Sequence, residues 1–165
     1  MKSGLEIERK FLVKMPDLKK LNLIKLVDIK QTYLSDGENG SQRRVRKISC
    51  GDKVSMTYTE KNFISPVVRE ESEKTINSDE YSRLLKDAKD TTPVEKKRAV
   101  FLYENQRFEL DIYPFSQKYA VLELELESPE QEIYFPSYVN VVKEVTGDRN
   151  YSNITLANAG KFPEN

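Results

Sequence analysis

The chain has no histidine. That removes Ser–His and Cys–His nucleophile pairs, zinc sites of the HExxH kind and the imidazole general base. Any chemistry then rests on carboxylates, cations and a hard metal ion held by oxygen ligands. Cys50 is the only cysteine, so an internal disulfide is excluded and a reducing compartment is fitting. Long apolar runs are missing too. No stretch approaches the roughly 20 residues needed to span a bilayer, and the N-terminus lacks a signal segment, which predicts a cytoplasmic protein with no membrane partner. Nor is there an excess of either charge. Lysine plus arginine and aspartate plus glutamate stand at 27 each, so no long-range field draws the molecule to nucleic acid, and any polyanion must be gripped locally. The length of 165 residues predicts one domain over 1–165 with a substantial core.

What the chain does have is alternation. Glu6, Glu8 and Lys10 would share one face of an extended strand and Ile7 and Phe11 the other. The same two-residue period recurs in Arg44-Val45-Arg46, Thr59-Glu60-Lys61, Glu71-Ser72-Glu73, Lys96-Lys97-Arg98, Glu109-Leu110-Asp111 and Glu123-Leu124-Glu125. Eight strands are predicted, over about 4 to 13, 27 to 34, 42 to 49, 53 to 61, 67 to 76, 94 to 103, 106 to 113 and 119 to 127. Turn residues at Ser35–Gly40, Cys50-Gly51-Asp52 and Glu104-Asn105 join them as antiparallel neighbours.

Helices are predicted at about 78 to 89, capped by Asn77, from Asp17 to Ile24, from Ser137 to Val145, and from Ser152 to Ala159, ended by Gly160. The fold class is thus α+β, mainly antiparallel β. Two arrangements satisfy the pattern: a sheet whose charged face meets water, or a closed barrel whose charges point inward under covering helices. The run Arg43-Arg44-Val45-Arg46-Lys47 lacks the stacking aromatics of a nucleic-acid site. Tyr33, Tyr58, Tyr113 and Tyr119 read as strand packing residues.

In order, these segments resemble the CYTH superfamily, the triphosphate tunnel metalloenzymes, which groups class IV adenylate cyclases, thiamine triphosphatases and inorganic triphosphatases. Glu6-Ile7-Glu8-Arg9-Lys10-Phe11 is similar to its ExExK signature and Arg44-Val45-Arg46 to its RxR strand. The segments around Thr59-Glu60-Lys61, Arg69–Glu73, Glu95–Arg98, Phe108–Asp111, Leu122–Glu125 and Glu144–Asn153 follow in step. The resemblance implies a closed eight-stranded antiparallel barrel around an open-ended tunnel.

It also implies roles. Glu6, Glu8, Glu123 and Glu125 become ligands of Mg²⁺ or Mn²⁺, with Glu71, Glu73, Glu109 and Asp111 as further acidic wall or second-metal groups. Lys10, Arg44, Arg46, Lys61, Lys96 and Arg98 become a triphosphate clamp, joined by Arg69. Lys61 takes the place of the family's Thr-x-Lys lysine, in a register where Thr59 is the alternative. Glu6, Glu8, Lys10 and Glu125 are the expected catalytic set, with one ion on phosphate oxygens and a second positioning water.

An acidic wall facing an anionic guest requires such a cation bridge, since close carboxylates otherwise repel one another and take up protons. Cyclisation needs a purine site and a means of activating the ribose hydroxyl, and no motif for either is found. Inorganic tripolyphosphate needs only the clamp and is the first expectation. Thiamine and nucleoside triphosphates, a class IV cyclase, and a non-catalytic polyphosphate or nucleotide sensor are the alternatives. A homodimer is one arrangement the outer face allows, and Asp148, Arg149 and Tyr151 are the expected tunnel plug.

Overall fold

Tight turns set the antiparallel order. Glu104 and Asn105 both have positive φ (50° and 58°), the two-residue turn whose twist matches a hairpin, so Tyr103 pairs with Gln106. Gly51, at φ 59°, turns the chain so that Cys50 meets Lys53. The computed structural model describes residues 2–164. Its strands are β1 (Lys2–Lys14), β2 (Leu23–Tyr33), β3 (Gln42–Cys50), β4 (Lys53–Phe63), β5 (Val68–Ile76), β6 (Val94–Tyr103), β7 (Gln106–Ile112), β8 (Tyr119–Leu126) and β9 (Val141–Glu144). Its helices are α1 (Ser78–Leu84) and α2 (Asn153–Ala159).

Every strand pairing is antiparallel. The order β5-β4-β3-β2-β6-β7-β8-β1 is closed by β1 on β5, with Leu5 opposite Glu70 and Glu6 opposite Arg69. The eight strands form the closed barrel that the resemblance implied. β1 makes the closure because it is long enough to pair twice: residues 2–7 with β5 and residues 7–14 with β8.

Two helix expectations are corrected. The segment from Ser137 to Val145 holds no helix; residues Val141–Glu144 form β9 along the second half of β1, with Leu12 opposite Lys143. The β-branched pair Val141-Val142 suits a strand, and β5 leaves that edge of β1 open beyond Ile7. From Asp17 to Ile24 only Leu18–Lys20 turn, in one 3-10 turn capped by the Asp17 side chain, and Leu23 and Ile24 belong to β2. Pairing with β6, Leu23 opposite Phe101, outweighs helix formation there. The expected helix after Asn77 forms as α1 with a 3-10 turn at Leu85–Asp87, the Asn77 side chain accepting from the Glu80 amide at 2.9 Å. α2 starts at the Ser152 cap and stops where Gly160 takes φ 63°.

The alternation now has a direction. Phe11, Val13, Phe101, Phe108, Leu110, Leu122 and Leu124 are buried outside the barrel against Leu21, Val139 and the neighbouring Ile133, Phe135 and Tyr138. Leu34, Val45 and Ile76 lie beneath α1. The opposite face points inward and carries the charges. At one end of the barrel, however, the inward residues are apolar. There Tyr33, Val94, Tyr113 and Val121 receive Leu156 of α2, and Leu12 receives Val145 and Tyr151. The C-terminal segment therefore stoppers that end, and the open-ended tunnel of the resemblance is here a cavity. Among the described residues no helix is long and apolar enough to cross a membrane.

Candidate active site

The cavity has a volume of about 880 Å³. β1 supplies Glu6, Glu8 and Lys10 to its wall, β3 supplies Arg44 and Arg46, β4 Lys61, and β5 Arg69, Glu71 and Glu73. From the other side come Arg98 of β6, Glu109 of β7, and Glu123 and Glu125 of β8. Each set is one face of a strand at period two, so barrel closure alone brings seven strands' charges together. Thirteen of the fifteen predicted side chains line it. Lys96 and Asp111 do not.

Those two form a buried ion pair beside the lining, Lys96 Nζ to Asp111 Oδ2 at 2.6 Å with both side chains fully buried. Asp111 also accepts from Arg98 Nε at 2.7 Å and Nη2 at 3.0 Å. Lys96 donates at 3.3 Å to Asn153 Oδ1, which the Tyr113 hydroxyl also reaches at 2.5 Å. Burial lowers the Lys96 pKa to about 8 against the pull of Asp111. In this geometry Asp111 has no face turned to a metal and Lys96 none turned to a phosphate. Asp111 holds Arg98, and Lys96 backs Asp111 from behind.

Arg98 is the hub of the acidic wall. It binds Asp111, donates from Nη1 to Glu109 at 2.9 Å, and reaches Glu123 from Nη2 at 3.3 Å. Burial opposes its charge, yet Asp111 and Glu109 raise its pKa well above the ordinary arginine value. Glu123 behaves alike in mirror image: burial favours its neutral form, but Lys10, Arg98, Lys96 and Lys61 hold its pKa far down. Lys10 stands 3.6 Å from it.

The basic wall is less well matched. Arg44 lies 3.6 Å from Glu71 and Lys61 3.9 Å from the same carboxylate. Burial and Arg44 push the Lys61 ammonium well below its usual pKa. Between the two registers weighed for this strand, Lys61 lines the cavity, while Thr59 is buried and donates to Glu73 at 3.3 Å. Arg46 has an amide for its near partner: its Nε donates to Gln31 Oε1 at 2.5 Å. Burial, Arg44 and Arg98 lower its pKa to about 9. Arg44 and Arg69 each have a buried Nε without a hydrogen-bond partner. Each arginine thus keeps one N–H free beyond its ion pair, with Glu71 for Arg44 and with Glu8 for Arg69.

The acids of β1 show the opposite need. Glu8 is paired with Arg69 at 2.7 Å, yet burial and Glu123, with Glu6 adding, raise its pKa to about 7. Glu6 has a buried Oε2 with no partner. Glu125, opposite Glu8 across β1 and β8, is exposed at the rim.

The donors are all oxygen, Glu6 Oε2 is buried without a partner, and burial with Glu123 favours the protonated form of Glu8, which fits a hard divalent cation. Among the described residues no three acids stand together as a closed ligand cage. The fit is thus to an ion that takes one or two carboxylates and completes its shell with water and phosphate oxygens, as Mg²⁺ does.

Sequence reasoning passed over Gln31, Asn153 and the role of Tyr33. The turn at Ser35–Gly40 would have found the first, because it sets Gln31 opposite Arg46 and Tyr33 opposite Arg44. The C-terminal residues Asp148 and Arg149 line the cavity as expected for a plug, and Tyr151 lies buried behind them against Leu12.

A family model described as CYTH domain matches residues 4–135. Among solved structures, the inorganic triphosphatase NE1496 is similar at 29% identity, over 96% of this chain and 97% of that one, with a TM-score of 0.55. A putative adenylate cyclase (bh2851) from Bacillus halodurans shares 20% identity over 78% of this chain and 83% of that one, TM-score 0.53. The PH1819 protein from Pyrococcus horikoshii OT3 shares 19% over 75% and 80%, TM-score 0.57. The last two likenesses concern the fold alone. No curated protein matches.

Proposed function

This chain belongs to the CYTH family, and from that premise we propose that it is a metal-dependent hydrolase of triphosphates, with inorganic tripolyphosphate as its first substrate. One observation carries the reading. A single cavity holds a buried cation with no carboxylate partner, Arg46, and two acids in need of more positive charge: Glu6, which has a buried oxygen without a partner, and Glu8, whose pKa stays at about 7 even beside Arg69. A polyanion with a divalent ion satisfies both at once. The likeness to a solved inorganic triphosphatase over nearly the full length of both chains supports the choice of substrate.

In this reading Arg44, Arg46, Lys61 and Lys10 bind the phosphate oxygens, the arginines able to do so through two N–H groups, in a site where water screens charge poorly. Arg98, anchored by Asp111, Glu109 and Glu123, fixes the acidic wall rather than moving to the ligand. Glu6 and Glu8 would hold Mg²⁺ or Mn²⁺, which would supply neutralisation of phosphate charge and a polarised water. No protein nucleophile is required. Val27, Ile29 and Ile48 also line the cavity, and its volume lies in the range of small-molecule sites, which favours an organic triphosphate as the second reading.

The test is a panel of tripolyphosphate, thiamine triphosphate and nucleoside triphosphates with Mg²⁺ or Mn²⁺, measuring phosphate, pyrophosphate and cyclic nucleotide. Metal-dependent phosphate release from tripolyphosphate is expected. Tight binding with no product from any of them identifies a sensor instead.

A further inference from the structure

Gln31 is fully buried on the inward face of β2 and bridges two other inward groups. Its Oε1 accepts from Arg46 Nε at 2.5 Å and its Nε2 donates to the Tyr33 hydroxyl oxygen at 2.5 Å. The polarity of this chain follows from chemistry alone. A guanidinium has donors and no acceptor, so the amide oxygen must face Arg46. The amide nitrogen then faces Tyr33, and it too only donates, so the phenol oxygen must accept. A phenol that accepts still holds its own O–H. Among the described residues none takes that proton, and Tyr33 lines the cavity beside its cross-strand partner Arg44.

We propose that Tyr33 donates a hydrogen bond to the anionic substrate, and that Gln31 is a positioning residue that fixes the direction of that donor while orienting Arg46. The inference rests on the triphosphate reading above. A neutral amide is the residue type the arrangement needs. A glutamate at position 31 would accept from Arg46 and from Tyr33 together, which cancels the free guanidinium charge and turns the phenol proton away from the cavity. The ring itself is held by Val94, Tyr113, Val121 and Leu156, so the hydroxyl meets the ligand from a fixed seat. It adds direction without adding charge, between two arginines that already supply charge.

The experiment titrates inorganic tripolyphosphate into the full chain by calorimetry in metal-free buffer with chelator, so that binding is read without turnover. Tyr33→Phe is expected to weaken binding by about ten- to a hundredfold, the loss of one hydrogen bond to a charged group. Gln31→Glu is expected to weaken it at least as much. In the Gln31→Glu background, Tyr33→Phe is then expected to add less than about threefold, because the proton has already been turned. Tyr33→Phe keeps the ring packing, so it carries the test whatever Gln31→Glu does to stability. If the unaltered chain binds tripolyphosphate and Tyr33→Phe binds within twofold of it, the donor assignment is overturned. If the two penalties simply multiply, the role of Gln31 is overturned. If the unaltered chain binds no tripolyphosphate in chelator and neither binds nor hydrolyses it when Mg²⁺ or Mn²⁺ is added, the triphosphate reading itself fails.

Discussion

Glu8 is where function and stability are set against each other, and replacing it with glutamine separates them. The side chain is almost wholly buried and its pKa stands at about 7 instead of 4.5, despite the ion pair with Arg69. Because the folded value lies above the unfolded one, folding favours the protonated acid. The ionised form is therefore penalised in the native state, fully above pH 7 and not at all below pH 4.5. The size at pH 8 is about 3 kcal/mol, at about 1.4 kcal/mol for each pH unit between the two values. Glutamine has the shape of the neutral acid and ionises at no pH, so Glu8→Gln should stabilise the metal-free protein by about that amount. For a chain of this length that is roughly 6 to 12 °C in melting temperature. Thermal unfolding followed by circular dichroism in chelator, at pH 8 and at pH 4.5, is the assay. A large gain at pH 8 that vanishes at pH 4.5 is expected, together with at least about a hundredfold loss of phosphate release. If Glu8→Gln melts at or below the unaltered chain at pH 8, the carboxylate is not destabilised by its burial and by Glu123, and the argument for a cation beside it falls.

Four further outcomes follow from the same geometry. Protons compete with a cation for Glu8, so the Mg²⁺ concentration giving half-maximal activity should rise as pH falls below about 7, approaching tenfold per pH unit; a metal requirement flat between pH 8 and pH 6 contradicts this. Arg46→Ala, which removes a buried guanidinium but no ion pair, should weaken metal-free tripolyphosphate binding by about a hundredfold while leaving the urea midpoint little changed. Lys96→Met should destabilise the fold by about 3 kcal/mol by stripping Asp111 of one of its two buried cations, measured by urea denaturation, and a neutral result would show that Arg98 alone suffices. Gly147→Ala places a Cβ 2.8 Å from Pro66 Cβ at a φ of +73°, so it should cost about 1 kcal/mol or more and increase amide exchange in the segment from Val145 to Phe162.

The sequence by itself determined what is local. Side chains two residues apart share a strand face whatever the strand pairs with, so Glu6, Glu8 and Lys10, or Arg44 and Arg46, were legible as units. So were the turns at Gly51 and Glu104-Asn105 and the caps at Asn77, Ser152 and Gly160, each set by a side chain or a φ value within a few residues. The order of the charged segments carried the family resemblance. Only the tertiary structure decided what those faces enclose. An open antiparallel sheet shows the same alternation, and the bonds that separate it from a barrel are those of β1 with β5, some 65 residues apart in sequence. The same holds for β9, whose valines take the edge of β1 that β5 leaves open, and for the C-terminal stopper, which needs inward apolar residues from four strands and Tyr113 just after β7. Burial depth was equally beyond the pattern. Lys96 and Arg98 read alike at period two, yet one is fixed to Asp111 beside the lining and the other reaches the cavity, because depth along the barrel depends on how far each strand is offset from its neighbours.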